Sequence, residues 1–251
     1  MTSWNALRKG FDAFTERLPL LMGAWLVILG CQQLIDLLIP DTWLFAESLL
    51  LMVILAPLYA GQHLLALKVV RQEPVVFSEL FAGLRQFWPI VGAYMLVMLL
   101  TLLGALVLIV PGIILALMYS FVLIRFLDPK QGVRRTQVSD AMRESSQLTQ
   151  GVRGTIFGIG LLLAIPYLVL GVLLWISMYR ADIPFWAIEL VSILSGTLFL
   201  GPVQATSLMV VYDHVVKQHD QEDERSVLKQ APPSEADPRL SEHVDAQRPE
   251  T

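Results

Sequence analysis

Few side chains in this sequence could do chemistry, and the best placed sit inside or at the ends of long apolar runs. His63 lies in one such run, next to Gln62. An imidazole there could relay a proton or contact a ligand; it could equally hydrogen-bond a neighbouring helix. Asp36 and Glu189 lie near the ends of two other runs, where both can reach water. Arg125, Asp128, Asp213 and His214 stand where apolar sequence gives way to charge. Arg125 with Asp128 or Asp213 could clamp a lipid phosphate or form an ion pair, although snorkelling to a polar surface is the simpler account. Lys130, Arg134, Arg135, Arg143 and Arg153 make the strongest basic segment. Each base beside an anionic surface contributes about 1 kcal/mol, but topology alone would also place bases there. The candidate lipid-contact and polar membrane residues are therefore His63, Arg125, Arg134, Arg135 and Asp213.

Other chemistries lack their residues. The sequence has no phosphate-binding glycine loop, no HExxH, no nucleophile motif and no Cys/His cluster. Cys31 is alone, so no disulfide and no cysteine-based metal site is expected. The reading is of a protein that is not an enzyme, with no cofactor and no metal. No basic field exists for nucleic acid.

The elements that carry these residues are apolar. Of the 251 residues 55% are hydrophobic and 16% charged, against about 25% charged in soluble domains. The excess must face lipid. Six apolar stretches can be delimited at 18–39, 44–67, 89–110, 112–127, 155–178 and 184–212. Most exceed the ~20 residues that cross hydrocarbon, but 112–127 is short. The uncharged Val110-Pro111-Gly112 reads as a tight turn at or slightly within the membrane surface. The first stretch begins late for a signal peptide and reads as a retained span. With six spans, 17 of the 18 Lys and Arg residues share one side and only Arg180 lies on the other. The positive-inside rule makes that side cytoplasmic and places both termini there.

Three amphipathic segments lie on the basic side. Trp4, Leu7, Phe11, Phe14 and Leu18 form one stripe. Leu80, Phe81, Leu84, Phe87 and Trp88 form a second, with Ser78 as a candidate N-cap. Val138, Ala141, Met142, Ser145 and Leu148 form a third, with Ser139 as a candidate N-cap and Gly151 as a stop. Such segments are expected to lie in the interface plane. The order amphipathic helix, span, turn, span thus occurs three times, at about 3–67, 76–127 and 138–212. The expected fold is all-α: a polytopic membrane helical bundle of about six transmembrane helices as three hairpins, each preceded by a short amphipathic interfacial helix. Residues 1–217 form the transmembrane domain. Residues 218–251, with nine acids, four bases and four prolines, read as a disordered cytoplasmic tail.

Several short blocks occur in a recognisable order. They are Pro57-Leu58-Tyr59-Ala60-Gly61, Phe77-Ser78-Glu79-Leu80-Phe81-Ala82-Gly83, Val110-Pro111-Gly112-Ile113-Ile114, Asp128-Pro129, and Ala141-Met142-Arg143-Glu144-Ser145 running to Gly151. In these, over roughly half its length, the chain resembles bacterial multi-pass membrane proteins of unknown function related to the membrane domain of glycerophosphodiester phosphodiesterases. It departs from those enzymes in having no soluble phosphodiesterase domain and no His/Glu/Asp metal cluster. The resemblance implies the fold and a bacterial inner membrane, not the activity. The leading expectation is an envelope protein that interacts with lipids, anionic ones among them, or with other membrane proteins or itself. The alternative is a small transporter or channel for an ion or amphiphile.

Overall fold

The computed structural model describes residues 1–39, 44–129, 137–180, 190–191 and 199–230. The chain divides into two units, Met1–Asp213 and His214–Thr251. The first is all-helical among the described residues. Helix α1 (Ser3–Glu16) is followed by α2 (Leu18–Leu38) and α3 (Leu44–Val70). A 3-10 helix (Phe77–Gln86) leads into α4 (Phe87–Val107), then α5 (Ile109–Met118) and α6 (Val122–Arg125). Helices α7 (Val138–Leu148), α8 (Arg153–Arg180) and α9 (Gly201–Gln230) follow, the first unit ending within α9.

Four described segments are long and apolar enough to cross a membrane: Leu18–Leu38, Glu47–Val70, Phe77–Val107 and Arg153–Ile176. The protein is therefore a multi-pass, membrane-embedded helical bundle. Residues 184–189 and 192–198 of the stretch 184–212, Glu189 among them, lie outside the described residues, as do Lys130, Arg134 and Arg135.

Helix α3 is the central post. Residues 48–50 are exposed and 51–54 half-buried, whereas most residues from Leu55 to Val69 are buried. Leu55, Leu58, Leu65 and Val69 pack with Phe14, Leu21, Ile28 and Val203. Ala56 and Ala60, on another face, pack with Ile90, Val91, Val122 and Phe126. One helix thus joins two cores.

The second amphipathic segment does not lie flat. A Cβ on Gly61 would stand 1.8 Å from the Leu80 carbonyl oxygen, and one on Gly83 would stand 2.1 Å from that of Pro57. Gly61 to Pro57 spans about 6 Å of α-helix, and Leu80 to Gly83 spans about 6 Å of 3-10 helix. The two elements therefore run antiparallel with their backbones touching. A narrow 3-10 coil and two glycines permit that approach. Ser78 sits inside this helix rather than capping it.

The chain reverses at Leu108, three residues before Pro111. Leu108 is extended (φ −160°, ψ 144°) between α4 and α5. Pro111 falls in the first turn of α5, where a missing N–H costs nothing. Gly112 touches the backbone of Ala105, because a one-residue connection forces the helices together. The return limb then breaks between Met118 and Val122. Ser145 repairs that break: its Oγ accepts from Phe121 N–H at 3.2 Å and donates to the Met118 carbonyl at 2.8 Å.

The other two amphipathic helices follow their stripes in part. On α7, Ala141, Ser145 and Leu148 are buried as the stripe implies. The helix begins at Val138, so Ser139 is not its cap, and Gly151 turns the chain after it at φ +84°. On α1, Ala6, Gly10 and Phe14 face protein while Trp4 and Phe11 face outward.

In the second unit, α9 remains helical to Gln230, past Gln218 where the tail was expected to begin. Its Lys, Gln, Glu and Arg are straight-chain helix formers, which explains the continuation. Residues 231–251 lie outside the described residues.

Candidate functional site

The polar residues converge at the basic ends of the helices. Arg71 is the C-cap of α3. Gln72 takes a left-handed conformation (φ 57°), which lets its N–H reach the Val69 carbonyl at 3.0 Å and Glu73 N–H reach that of Lys68 at 2.9 Å. This Schellman closure ends the helix and aims Arg71 inward. Asp128 lies three residues past the end of α6, immediately before Pro129. Asp213 and Tyr212 come from α9, and Glu144 from α7.

Arg71 grips Asp128 with two parallel bonds, Nη1 to Oδ1 at 2.7 Å and Nη2 to Oδ2 at 3.1 Å. Its Nε donates to Asp213 Oδ1 at 2.7 Å. The side chains of Arg71 and Asp128 are 2% and 0% exposed, so this is a buried ion cluster. Tyr212 donates to Asp128 Oδ2 at 2.9 Å. Arg125 donates to Tyr212 at 3.5 Å and, through Nε at 2.7 Å, to Glu144, which it also contacts through Nη2. Burial alone would lower the Arg71 pKa. Hydrogen bonds to Asp128 and Asp213 outweigh it and raise the group above the ordinary arginine range, so Arg71 remains cationic.

The structure thus redistributes the expected partners. Asp128 and Asp213 meet Arg71, while Arg125 meets Glu144 and Tyr212. In the sequence Arg71 is only one of the 17 bases that share the basic side. His63 belongs to neither set: its Nδ1 lies 2.6 Å from the carbonyl of Tyr59, one turn back in its own helix. Asp36 accepts from Gln33 at 3.2 Å.

Beside the cluster lies a groove of about 750 Å³ between the end of α3, the 3-10 helix and the segment after α6. Its lining mixes Lys68, Glu79, Arg85 and Asp128 with apolar Val76 and Leu127. Lys68 pairs with Glu79 across it. Gln86 ties the far wall, donating to the Phe126 carbonyl at 2.8 Å. Neither His63 nor Asp213 lines the groove. No group of three or more His, Cys, Asp or Glu able to hold a metal occurs among the described residues. No protein-family model, curated protein or solved structure matches this chain.

Proposed function

We propose that the chain is a non-enzymatic protein of a bacterial inner membrane that binds phospholipid at its basic end. The observation that carries this reading is the groove: charged side chains and apolar surface share one cavity where the α3 span ends. An amphiphile presents the same two chemistries. The resemblance to the phosphodiesterase-related membrane proteins is part of the proposal, as is a cytoplasmic basic face with both termini on it. The full arrangement would be six crossings in three hairpins. The α4–α5 connection supports a complete return crossing. Two helix ends meet at Leu108, and their open backbone groups need headgroups or water, which hydrocarbon does not supply. The basic segment Lys130, Arg134 and Arg135 would hold anionic lipid at the surface.

The test is lipid retention. Protein extracted in mild detergent should carry phospholipid through purification, and Arg134→Glu with Arg135→Glu should reduce its anionic share. Recovery of phospholipid-free protein would end this reading. A transporter or channel is the second reading. It is motivated by Gln62, which is 1% exposed and whose Nε2 has no hydrogen-bond partner among the described residues. Proteoliposomes that pass neither ions nor amphiphiles would dismiss it.

A further inference from the structure

We propose that the groove takes the zwitterionic headgroup of an aminophospholipid, its phosphate on Arg85 and Lys68 and its primary ammonium on Glu79. This rests on the lipid-binding reading and narrows it to one headgroup class.

The first argument is the sign of the charges. An anion site would show bases alone, yet this groove carries Lys68 and Arg85 together with Glu79 and Asp128. Asp128 is engaged by the buried Arg71 guanidinium. Glu79 is held, among the described residues, by Lys68 of the groove itself. A zwitterion matches that wall, whereas an anionic headgroup that draws Lys68 to its phosphate leaves Glu79 with no cation.

The second argument is an unmet hydrogen bond. Lys68 occupies Glu79 Oε1, while Glu79 Oε2 is enclosed and has no hydrogen-bond partner among the described residues. A carboxylate so placed is short of a donor. Both side chains of the pair are 19% exposed, so it borders the groove rather than lying sealed beneath it. Entry of a zwitterion would exchange partners: Lys68 swings from Glu79 to the phosphate, and the ammonium takes its place. One internal ion pair becomes two intermolecular ones, with no change in net charge. The exchange requires an ammonium that bears N–H groups. A quaternary ammonium has none to donate and could not satisfy Glu79.

The third argument is the surroundings. Arg85 is exposed at the rim. Phe77, Phe81 and Leu84 of the same 3-10 helix are exposed apolar surface on which acyl chains could lie. The volume falls within the ~300–1,000 Å³ of small-molecule sites and exceeds what a headgroup alone needs.

The experiment uses the full chain in detergent with equal amounts of phosphatidylethanolamine, its N-methyl and N,N-dimethyl forms, phosphatidylcholine and phosphatidylglycerol. Retained lipid is read by native mass spectrometry. Retention should fall stepwise as N–H donors are removed, with roughly tenfold between the ethanolamine and choline forms. Glu79→Gln should remove that preference while leaving some lipid bound. Arg85→Gln should lower retention of every phospholipid. Equal retention of the ethanolamine and choline forms by the unaltered protein would overturn the proposal, without reference to any variant. So would an unchanged preference in Glu79→Gln. Preferential retention of phosphatidylglycerol by the Arg134→Glu/Arg135→Glu protein, whose surface segment no longer holds anionic lipid, would refute this headgroup assignment and leave lipid binding standing. Retention of no phospholipid would refute both.

Discussion

Helices α3 and α8 look alike as sequence and behave differently as structure. Both are long, apolar and interrupted by one proline, Pro57 and Pro166. Yet 56% of the most apolar window of α3 is buried in protein, against 6% for α8. The difference tracks what each helix carries. Between its terminal arginines α8 has no charged residue. Helix α3 carries Gln62, His63 and Lys68 and ends at Arg71, and its Gly61 admits another backbone. A helix with polar groups and a backbone notch must find protein partners, because lipid offers no hydrogen bonds. Helix α8, with no charge between its terminal arginines, can face lipid over most of its length.

This contrast can be broken experimentally. The largest effect is expected at Arg71. Arg71→Met leaves Asp128 and Asp213 without their shared guanidinium and should cost about 3–5 kcal/mol, read as a large drop in the melting midpoint in detergent. A midpoint within error of the unaltered protein would show that the cluster does not hold the bundle together. Next come two matched truncations. Leu65→Ala in α3 opens a cavity in a fully buried site and should cost about 2–4 kcal/mol. Leu168→Ala in α8 removes a side chain that is 65% exposed and should change the midpoint little. Equal losses would mean that α8 is also covered in the working protein. Gly61→Ala pushes a methyl into the Leu80 carbonyl and should cost about 1–3 kcal/mol. A small effect of opposite sign belongs to Gly160→Ala. That position in α8 has open space around it, so the change should stabilise by about 0.5–1 kcal/mol.

Parts of the site were legible from sequence and parts were not. The face of α7 could be read because helical period alone places Ala141, Ser145 and Leu148 together. Arg125, Asp128 and Asp213 could be marked because charge at the end of an apolar run is conspicuous. Their pairing could not, since Arg71 and Asp213 are 142 positions apart and no periodicity links them. Arg71 was also hidden by its setting. A base after a span satisfies the topology rule and invites no further question. A weak signal existed in Gln72-Glu73-Pro74, a place for the chain to turn and aim the preceding arginine. The turn near Pro111 was misplaced for a related reason. Proline is tolerated in the first turn of a helix, so Pro111 marks where α5 starts as readily as where a loop lies.

The sequence by itself determined that this chain is helical and lives in a membrane. Apolar length and the scarcity of charge are local quantities, and they suffice for that. It also determined which end of the bundle would be polar. Only the tertiary structure decided which apolar helix is enclosed and which acid meets which base. Hydrophobicity does not distinguish lipid from protein as a neighbour, and a buried charge is stabilised by geometry that chain order does not contain. The same holds for the groove. Lys68, Glu79 and Arg85 are unremarkable along the chain and form one cavity wall because two backbones touch at Gly61 and Gly83.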